Sequence, residues 1–446
     1  MLDRTGTALQ SDTTCAAAPP SGLTRFAMLA PFATRSFRYQ WPADLLTSWA
    51  FEMETIILGW YVLAATGSVL WLTLFGASQY LGSLVAPLYG VVGDRLGHKS
   101  LLLAMRVVYA ACASTLLGCA LGNAVTPLVV LSVAMVMGLV RPSDLGVRSA
   151  LIAETMPTET LISALSLSRT TTDSARVVGA LLGASVFTFF GLAPAYLIIA
   201  AFYAVGTLLM LGDTAPLRRV SLRRVSLRQV SLRQVSLAMT PEEAVGKSPW
   251  RDLKEGLAYT RNTPILLALI SLAFLTNLSV FPLTNGLMPY AARNVYLVGQ
   301  TGLGFLVASF AAGGLIGSIV LSNMRANARL TRLMMVAAML WSAILLVFAQ
   351  MPTAVAAVPW LFLAGIVQSL SMVPLQILLL RACGERFRGR VMGVRMLAIY
   401  SLPLGLLAAG PLIDWIGWRG TASLYATIGL VFSALITLRW RAELWR

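Results

Sequence analysis

Long apolar runs separated by short polar connections organise this chain. The runs are predominantly apolar, as in a chain whose solvent is mostly lipid. A helix needs ~20 such residues to cross ~30 Å of hydrocarbon. Twelve runs can be placed, at residues 37–65, 69–92, 99–121, 124–146, 160–190, 192–211, 264–290, 300–322, 330–350, 354–379, 390–414 and 417–439. We therefore predict an all-α membrane protein with twelve transmembrane helices.

The connections between the runs alternate in charge. The connections on one side, near Gly67, Asn123, Gly191 and Pro352, contain no Lys or Arg. The connections on the other side hold most of the basic residues, and only Arg293 and Arg419 depart from this pattern. Cytoplasmic loops of membrane proteins carry an excess of Lys and Arg. The asymmetry therefore predicts that both termini lie in the cytoplasm.

A basic segment divides the runs into two groups of six. We predict a cytoplasmic tail (1–36), a first bundle (37–211), a linker (212–262), a second bundle (263–439) and a final tail (440–446). The linker contains RRVSLRRVSLRQVSLRQVSL, whose period of five residues gives no apolar stripe on a helix or a strand. We interpret it as a basic tether near anionic lipid headgroups. Ser248 and Pro249 then predict the start of a short interfacial helix.

Composition excludes several classes of protein. The 446 residues are 57% hydrophobic and 12% charged, about half the charge of a typical soluble domain. The net charge of +16 is explained by basic loops, so we expect the lipid bilayer as a partner and no nucleic acid. One histidine and four dispersed cysteines predict no metal site, no cofactor and no enzymatic activity. The phosphate-binding motif of an ATP-driven pump is also missing.

The loop between the second and third runs carries a recognisable motif. GVVGDRLGHKSLLL matches G-x-x-x-D-R-x-G-x-[RK] at Gly90, Asp94, Arg95, Gly97 and Lys99. It resembles the signature loop of the major facilitator superfamily. A carboxylate such as Asp94 at a helix end can receive a cation from a neighbouring helix. The loop therefore predicts a cytoplasmic gate; the alternative is a basic turn that only anchors the topology.

Two further segments narrow the resemblance. GLVRPSDLGVRSALIAETMP (138–157) and LISALSLSRTTTDSARVVGALLGA (161–184) are similar to the drug- and siderophore-exporting, enterobactin-exporter-like branch. The resemblance implies two pseudosymmetric six-helix bundles in a bacterial inner membrane, acting as a monomer. It implies alternating-access export of a small amphipathic molecule by antiport with protons. Arg141, Asp144 and Arg148 are expected to complete the gate around Asp94.

The first run carries three carboxylates at membrane depth: Asp44, Glu52 and Glu54. Such residues are costly and are functional candidates by default. Two residues along a helix is a rotation of about 200°, so Glu52 and Glu54 point in different directions and one of them should face a cavity. A carboxylate there can exchange protons during transport. The alternative is that both are permanently paired structural groups.

The fifth run carries Arg169, Asp173 and Arg176 at spacings that share one helix face. They could receive an anionic group or a glutamate of the first helix, and Arg176 is the candidate partner of Glu52. The alternative is an ion-pair ladder that locks helices together. Arg106 in the third run is expected to reach the membrane interface, with no assigned role.

Two other functions remain open from the sequence. The first is an importer or a facilitator of a small metabolite, because the transport direction and the coupling ion come from the resemblance alone. The second is a non-transporting membrane sensor or scaffold, which should carry an added soluble domain larger than the predicted tails and linker.

Overall fold

The fold is known from a computed structural model, which describes residues 27–83, 85, 89, 92–93, 96–212, 249–324, 330–383 and 388–444. Helices account for almost all of these residues, and no strand occurs among them. Nine of the described helical segments are long and apolar enough to cross a membrane. The first two helices and a break in the last segment complete the set of twelve.

The first bundle contains six helices. They are α1 (Arg35–Thr66), α2 (Val69–Ser78), α3 (His98–Leu121), α4 (Pro127–Thr155), α5 (Thr158–Phe190) and α6 (Leu192–Leu211). Short 3-10 turns precede α1 at Ala27–Ala33 and follow α2 at Leu81–Ser83. Helix α1 packs against α5 and α6, and α3 packs against α4 and α6.

The second bundle repeats this organisation. A linker helix, Pro249–Asn262, leads into α7, which spans Pro264–Val295 with two π-helical turns, Thr276–Val280 and Ala291–Val295. Then follow α8 (Gln300–Ser322), α9 (Leu330–Ala349) and α10 (Ala354–Ala382). Helix α11 starts as Arg388–Ile399 and continues into Ser401–Arg439, which breaks at Gly417 (φ 71°); the part after this break is α12. A four-residue helix, Arg441–Leu444, ends the described chain.

The all-α fold class with twelve membrane helices is confirmed, with two differences in the helices. Helix α4 continues to Thr155, beyond the predicted end at residue 146, because the charged residues of its last turns are paired inside the bundle. The first α-helical segment of α2 ends at Ser78; of the predicted run beyond residue 83, residues 85, 89 and 92 are described, and 89 and 92 are helical. At Leu81–Ser83 the chain forms a 3-10 turn, in which Gly82 lies against the backbone of α4 at Leu139. The linker helix is present at Pro249–Asn262, whereas its predicted N-cap Ser248 and the tether lie outside the described residues.

The two bundles meet along equivalent helix pairs. Helix α5 packs against α8, and α2 packs against α11. Their close contacts lie away from the basic connections, at what we call the far end. There Arg293 donates a hydrogen bond to the carbonyl oxygen of Leu63, and the hydroxyls of Thr301 and Thr188 are 3.1 Å apart. The bundles are therefore held together at the far end.

Small residues allow the tightest helix contacts. A Cβ atom added at Gly183 would lie 2.8 Å from the Cα of Met53 in α1, and one at Gly317 would lie 3.0 Å from the Cα of Ile366 in α10. Gly365 lies against the carbonyl oxygen of Phe310 in α8 in the same way. Gly179 and Gly313 are packed as closely, Gly179 against the Cβ of Glu52 and Gly313 against the carbonyl oxygen of Phe362.

A matched pair of glycines tests this packing. Gly365→Ala should lower the free energy of unfolding by ~1–3 kcal/mol, because the added methyl group has no space beside Phe310. Gly118→Ala should be neutral or stabilising by up to ~1 kcal/mol, because a Cβ there meets nothing within 4 Å and alanine favours a helix. Thermal unfolding of both purified variants measures the difference. Equal effects of the two substitutions would contradict this account of the contact.

Candidate functional site

A cavity of about 300 Å³ lies between the two bundles. Its walls come from α1, α2, α4 and α5 of the first bundle and from α7 and α8 of the second. The charged residues that line it all belong to the first bundle: Glu52, Arg141, Asp144, Arg148 and Arg176. The lining residues of α7 and α8 are uncharged, among them Asn285, Met288 and Phe310. The cavity therefore has one charged wall and one neutral, largely apolar wall.

Glu52 and Arg176 form an ion pair across the cavity edge between α1 and α5. Their atoms Oε1 and Nε are 3.8 Å apart, and the side chains are 23% and 47% exposed. Close packing of the two helices at Gly179, which touches the Cβ of Glu52, makes this meeting possible. A pair this long and this exposed is weakly held, since solvent screens the attraction. It can open at small cost.

Glu54 has a different environment from Glu52. Its side chain is buried between α1 and α6, where the hydroxyls of Tyr203 and Tyr196 lie 3.1 and 3.4 Å from its carboxylate oxygens. These tyrosines are seven residues apart on α6, two helical turns, so both reach the same carboxyl group. Glu54 does not line the cavity, whereas Glu52 does.

A buried network of four charges joins α1, α3 and α4. Asp44 pairs with Arg106, and Arg148 Nε lies 2.5 Å from Asp144 and 3.5 Å from Asp44. All four side chains are at most 5% exposed in these pairs. Arg106 also donates to the carbonyl oxygen of Gly206, 3.2 Å away in α6. Two carboxylates and two guanidinium groups balance each other, as burial requires.

The expectation for Arg106 was therefore wrong. Its side chain is fully buried and does not reach the membrane interface. Asp44, across the bundle, offers an ion pair that outweighs the gain from reaching water. A lone cation within an apolar run was the signal for such a partner.

Arg141 is separated from the network although it shares α4 with Asp144 and Arg148. Its Nη1 donates to Thr55 at 2.8 Å and to Gln79 at 2.9 Å, and its guanidinium lies 4.5 Å from the centre of the Phe51 ring. These partners are all uncharged. Sequence reasoning did not identify Thr55 or Gln79, because neutral polar residues in a membrane helix give no distinctive pattern.

The predicted gate is only partly within the described residues. Gly90, Asp94 and Arg95 lie outside them. Gly97 precedes α3 with φ 86°, a conformation that favours glycine, and Lys99 is buried in the first turn of that helix. The neighbouring His98 Nδ1 lies 2.6 Å from Glu154 at the end of α4. The basic ends of α3 and α4 are thus joined next to the signature loop.

The charged residues singled out in α5, Arg169, Asp173 and Arg176, divide between two contacts. Arg169 Nε lies 3.5 Å from Asp173, one turn away on the same helix. Arg176 turns instead to Glu52 of α1. Within the described part of the chain, no group of histidine, cysteine or acidic residues is arranged to hold a metal ion.

Two helical bundles with a polar cavity between them define a class of membrane transport proteins. The sequence model of the Major Facilitator Superfamily matches residues 41–404, and the chain belongs to this family. It is therefore a multi-pass membrane transporter without enzymatic chemistry of its own. No curated protein matches the chain in sequence.

Solved transporters share the fold at low sequence identity. The human organic anion transporter MFSD10 (TETRAN) is 16% identical with a TM-score of 0.61, over 90% of this chain and 99% of that one. A POT family transporter in complex with a thioalcohol conjugated peptide is 13% identical with a TM-score of 0.67, over 92% and 97%. A bacterial homologue of the human lysosomal transporter Spinster, in an inward-facing conformation, is 14% identical with a TM-score of 0.62, over 91% and 96%. These likenesses show the fold alone.

The buried network gives a stability prediction. Asp44→Asn should lower the free energy of unfolding by ~3–5 kcal/mol, because it leaves the buried Arg106 without its carboxylate. Arg106→Gln should cost a similar amount, and the double variant should cost less than the sum. Unfolding in mixed micelles measures all three. Strictly additive losses would show that the two side chains do not stabilise each other.

Proposed function

We propose that the protein is a proton-coupled exporter of a small amphipathic molecule, of the drug or siderophore class, working by alternating access. We place it in a bacterial inner membrane, with both termini in the cytoplasm, acting as a monomer. The bundles rock about the cavity, so that substrate reaches it from one side at a time. The observation that carries the proposal is the Glu52–Arg176 pair on the cavity wall.

The coupling step rests on the weakness of that pair. While Arg176 is close, it favours the charged form of Glu52; when it moves away, a carboxylate in a low-dielectric cavity favours the protonated form. The two residues lie on different helices, α1 and α5, and each borders the cavity. Substrate entry or helix movement can therefore change their separation. One site then takes up a proton in one state and releases it in the other.

The gate hypothesis concerns the basic end of the bundles. With the termini in the cytoplasm, the far-end contacts close the outer side, which corresponds to an inward-facing state. The signature loop at Gly90, Asp94, Arg95, Gly97 and Lys99 would close the inner side in the other state. Arg148, already paired with both Asp144 and Asp44, would support this gate from α4 together with Asp144.

The remaining candidates take smaller roles in this proposal. Glu54, held by two tyrosines, is the alternative proton site. The Arg169–Asp173 pair on α5 supports the position of Arg176. Import or facilitated transport of a metabolite is the second candidate function, since the family includes both directions of movement. Transport by inverted vesicles of a panel of drugs and siderophores, with and without a proton gradient, separates the two.

Glu52→Gln tests proton coupling. It keeps the size of the side chain but cannot take up a proton, so accumulation driven by a pH gradient should be lost. Exchange between two pools of the same substrate should continue, because it needs no net proton movement. Glu54→Gln is the matched control and should keep pH-driven accumulation. If Glu52→Gln still accumulates substrate in response to pH, Glu52 is structural; loss in Glu54→Gln alone would transfer the role to Glu54.

Asp94→Asn tests the gate. The substitution keeps the shape but removes the charge that would attract cations of neighbouring helices. We expect normal membrane insertion and at least about a tenfold loss of transport, the effect of removing an interaction of ~1.4 kcal/mol. Transport is compared at equal membrane abundance. Wild-type turnover in this variant would leave the loop as a topological anchor only.

A further inference from the structure

The charges on the cavity wall do not balance. Five lining residues are charged, three arginines against one glutamate and one aspartate, which is a net charge of +1. Arg148 is neutralised by Asp144 and Arg176 is paired with Glu52. Arg141 is the lining cation that has no ion pair; Glu54, the carboxylate that interacts with its charge, lies outside the cavity and is bonded to Tyr196 and Tyr203. Among the described residues, no carboxylate oxygen lies within 4 Å of its guanidinium nitrogens.

The neutral partners of Arg141 fix its position without satisfying its charge. Thr55 and Gln79 both accept from Nη1, and the Phe51 ring lies under the guanidinium. A guanidinium group has five N–H donors in a planar fork that matches an acid group. No hydrogen bond to a described residue uses Nε or Nη2 of Arg141. Those donors are left for an acceptor that is not part of the described protein.

The opposite wall suits the rest of such a ligand. Met288 of α7 and Leu303, Val307 and Phe310 of α8 line the cavity and carry no charge. A ligand whose apolar part contacts these residues would have its acid group directed toward the first bundle. The cavity thus offers one cationic anchor and one apolar surface.

We propose that the substrate is an amphipathic organic anion, whose carboxylate or equivalent acid group binds Arg141 while its apolar part contacts α7 and α8. This inference rests on the proposed transport function and names the substrate class of the same cavity. An anion supplies the direct ion-pair partner that Arg141 lacks among the described residues, in a membrane setting where charges are costly unless they are paired. A cationic ligand would add to the imbalance.

Three probes with one ring system and different charges test the substrate class. Naphthylacetate is an anion, naphthylacetamide is neutral and naphthylethylamine is a cation at pH 7. Equilibrium binding is measured on the purified full-length protein in lipid nanodiscs, with empty nanodiscs subtracted. Wild-type protein should bind the anion at least about tenfold more tightly than the amide, as one charge-assisted contact implies.

Variants assign that preference to Arg141. Arg141→Gln should bring the ratio of anion to amide affinity close to one and leave amide binding unchanged. Gln79→Glu should do the same by placing a carboxylate beside Arg141, which provides a second test if Arg141→Gln folds poorly. Arg261→Gln is the matched control: this exposed arginine lies in the last turn of the linker helix, outside the cavity, so the ratio should not change.

The outcomes separate this inference from the coupling proposal. Equal affinity for the probes, undetectable binding of the anion, tighter binding of the cation, or an anion preference that survives both Arg141→Gln and Gln79→Glu overturns the anion site. Binding at equilibrium needs no proton gradient. A clear anion preference together with pH-driven transport by Glu52→Gln would therefore leave the anion site standing and refute the coupling role of Glu52.

Discussion

A charge at membrane depth must be matched by another charge, and the first bundle is arranged around this constraint. Asp44, Arg106, Asp144 and Arg148 meet where α1, α3 and α4 come together, and each carboxylate faces at least one guanidinium group. Removing one partner would leave another buried charge without compensation, which is strongly destabilising. The network therefore holds three helices in one relative position. A bundle that moves as a rigid body during transport needs such an internal lock.

The contrast between this network and the cavity wall separates structural charges from functional ones. The network is buried and closely paired, with Arg148 Nε 2.5 Å from Asp144, although these two residues also border the cavity. The Glu52–Arg176 pair is longer, at 3.8 Å, and lies at the boundary of the cavity. Solvent-screened pairs contribute little to stability, so a change of partner there costs little. Under the proposed coupling, the charges that change partners during a cycle lie outside the rigid part of the bundle.

The second bundle contributes shape more than charge to the cavity. Helix α7 contains two π-helical turns and is interrupted between Asn285 and Met288, and Asn285, Met288 and Pro289 at this interruption line the cavity. Irregular backbone in a membrane is tolerated where it borders a cavity or is covered by protein. The close contacts at Gly317 and Gly365 hold α8, which forms the rest of the neutral wall, against α10. Movement of the neutral wall relative to the charged wall changes what a bound molecule contacts without separating buried charges.

Most of the helices follow from the apolar runs, because lipid requires every backbone polar group to be bonded within a helix. The separate orientations of Glu52 and Glu54 follow from helix geometry, but which one meets the cavity depends on how α5 and α6 pack against α1. Arg106 was misjudged for a related reason: local sequence shows a long side chain near the basic end, while its carboxylate partner is 62 residues away on another helix. Arg141 belongs to the same category, since its isolation is visible only once Asp144 and Arg148 are seen to be satisfied by each other and by Asp44. A residue pattern identifies which side chains are costly in a membrane. Packing decides which of these side chains already have a partner within the protein and which, as we propose for Arg141, bind a ligand.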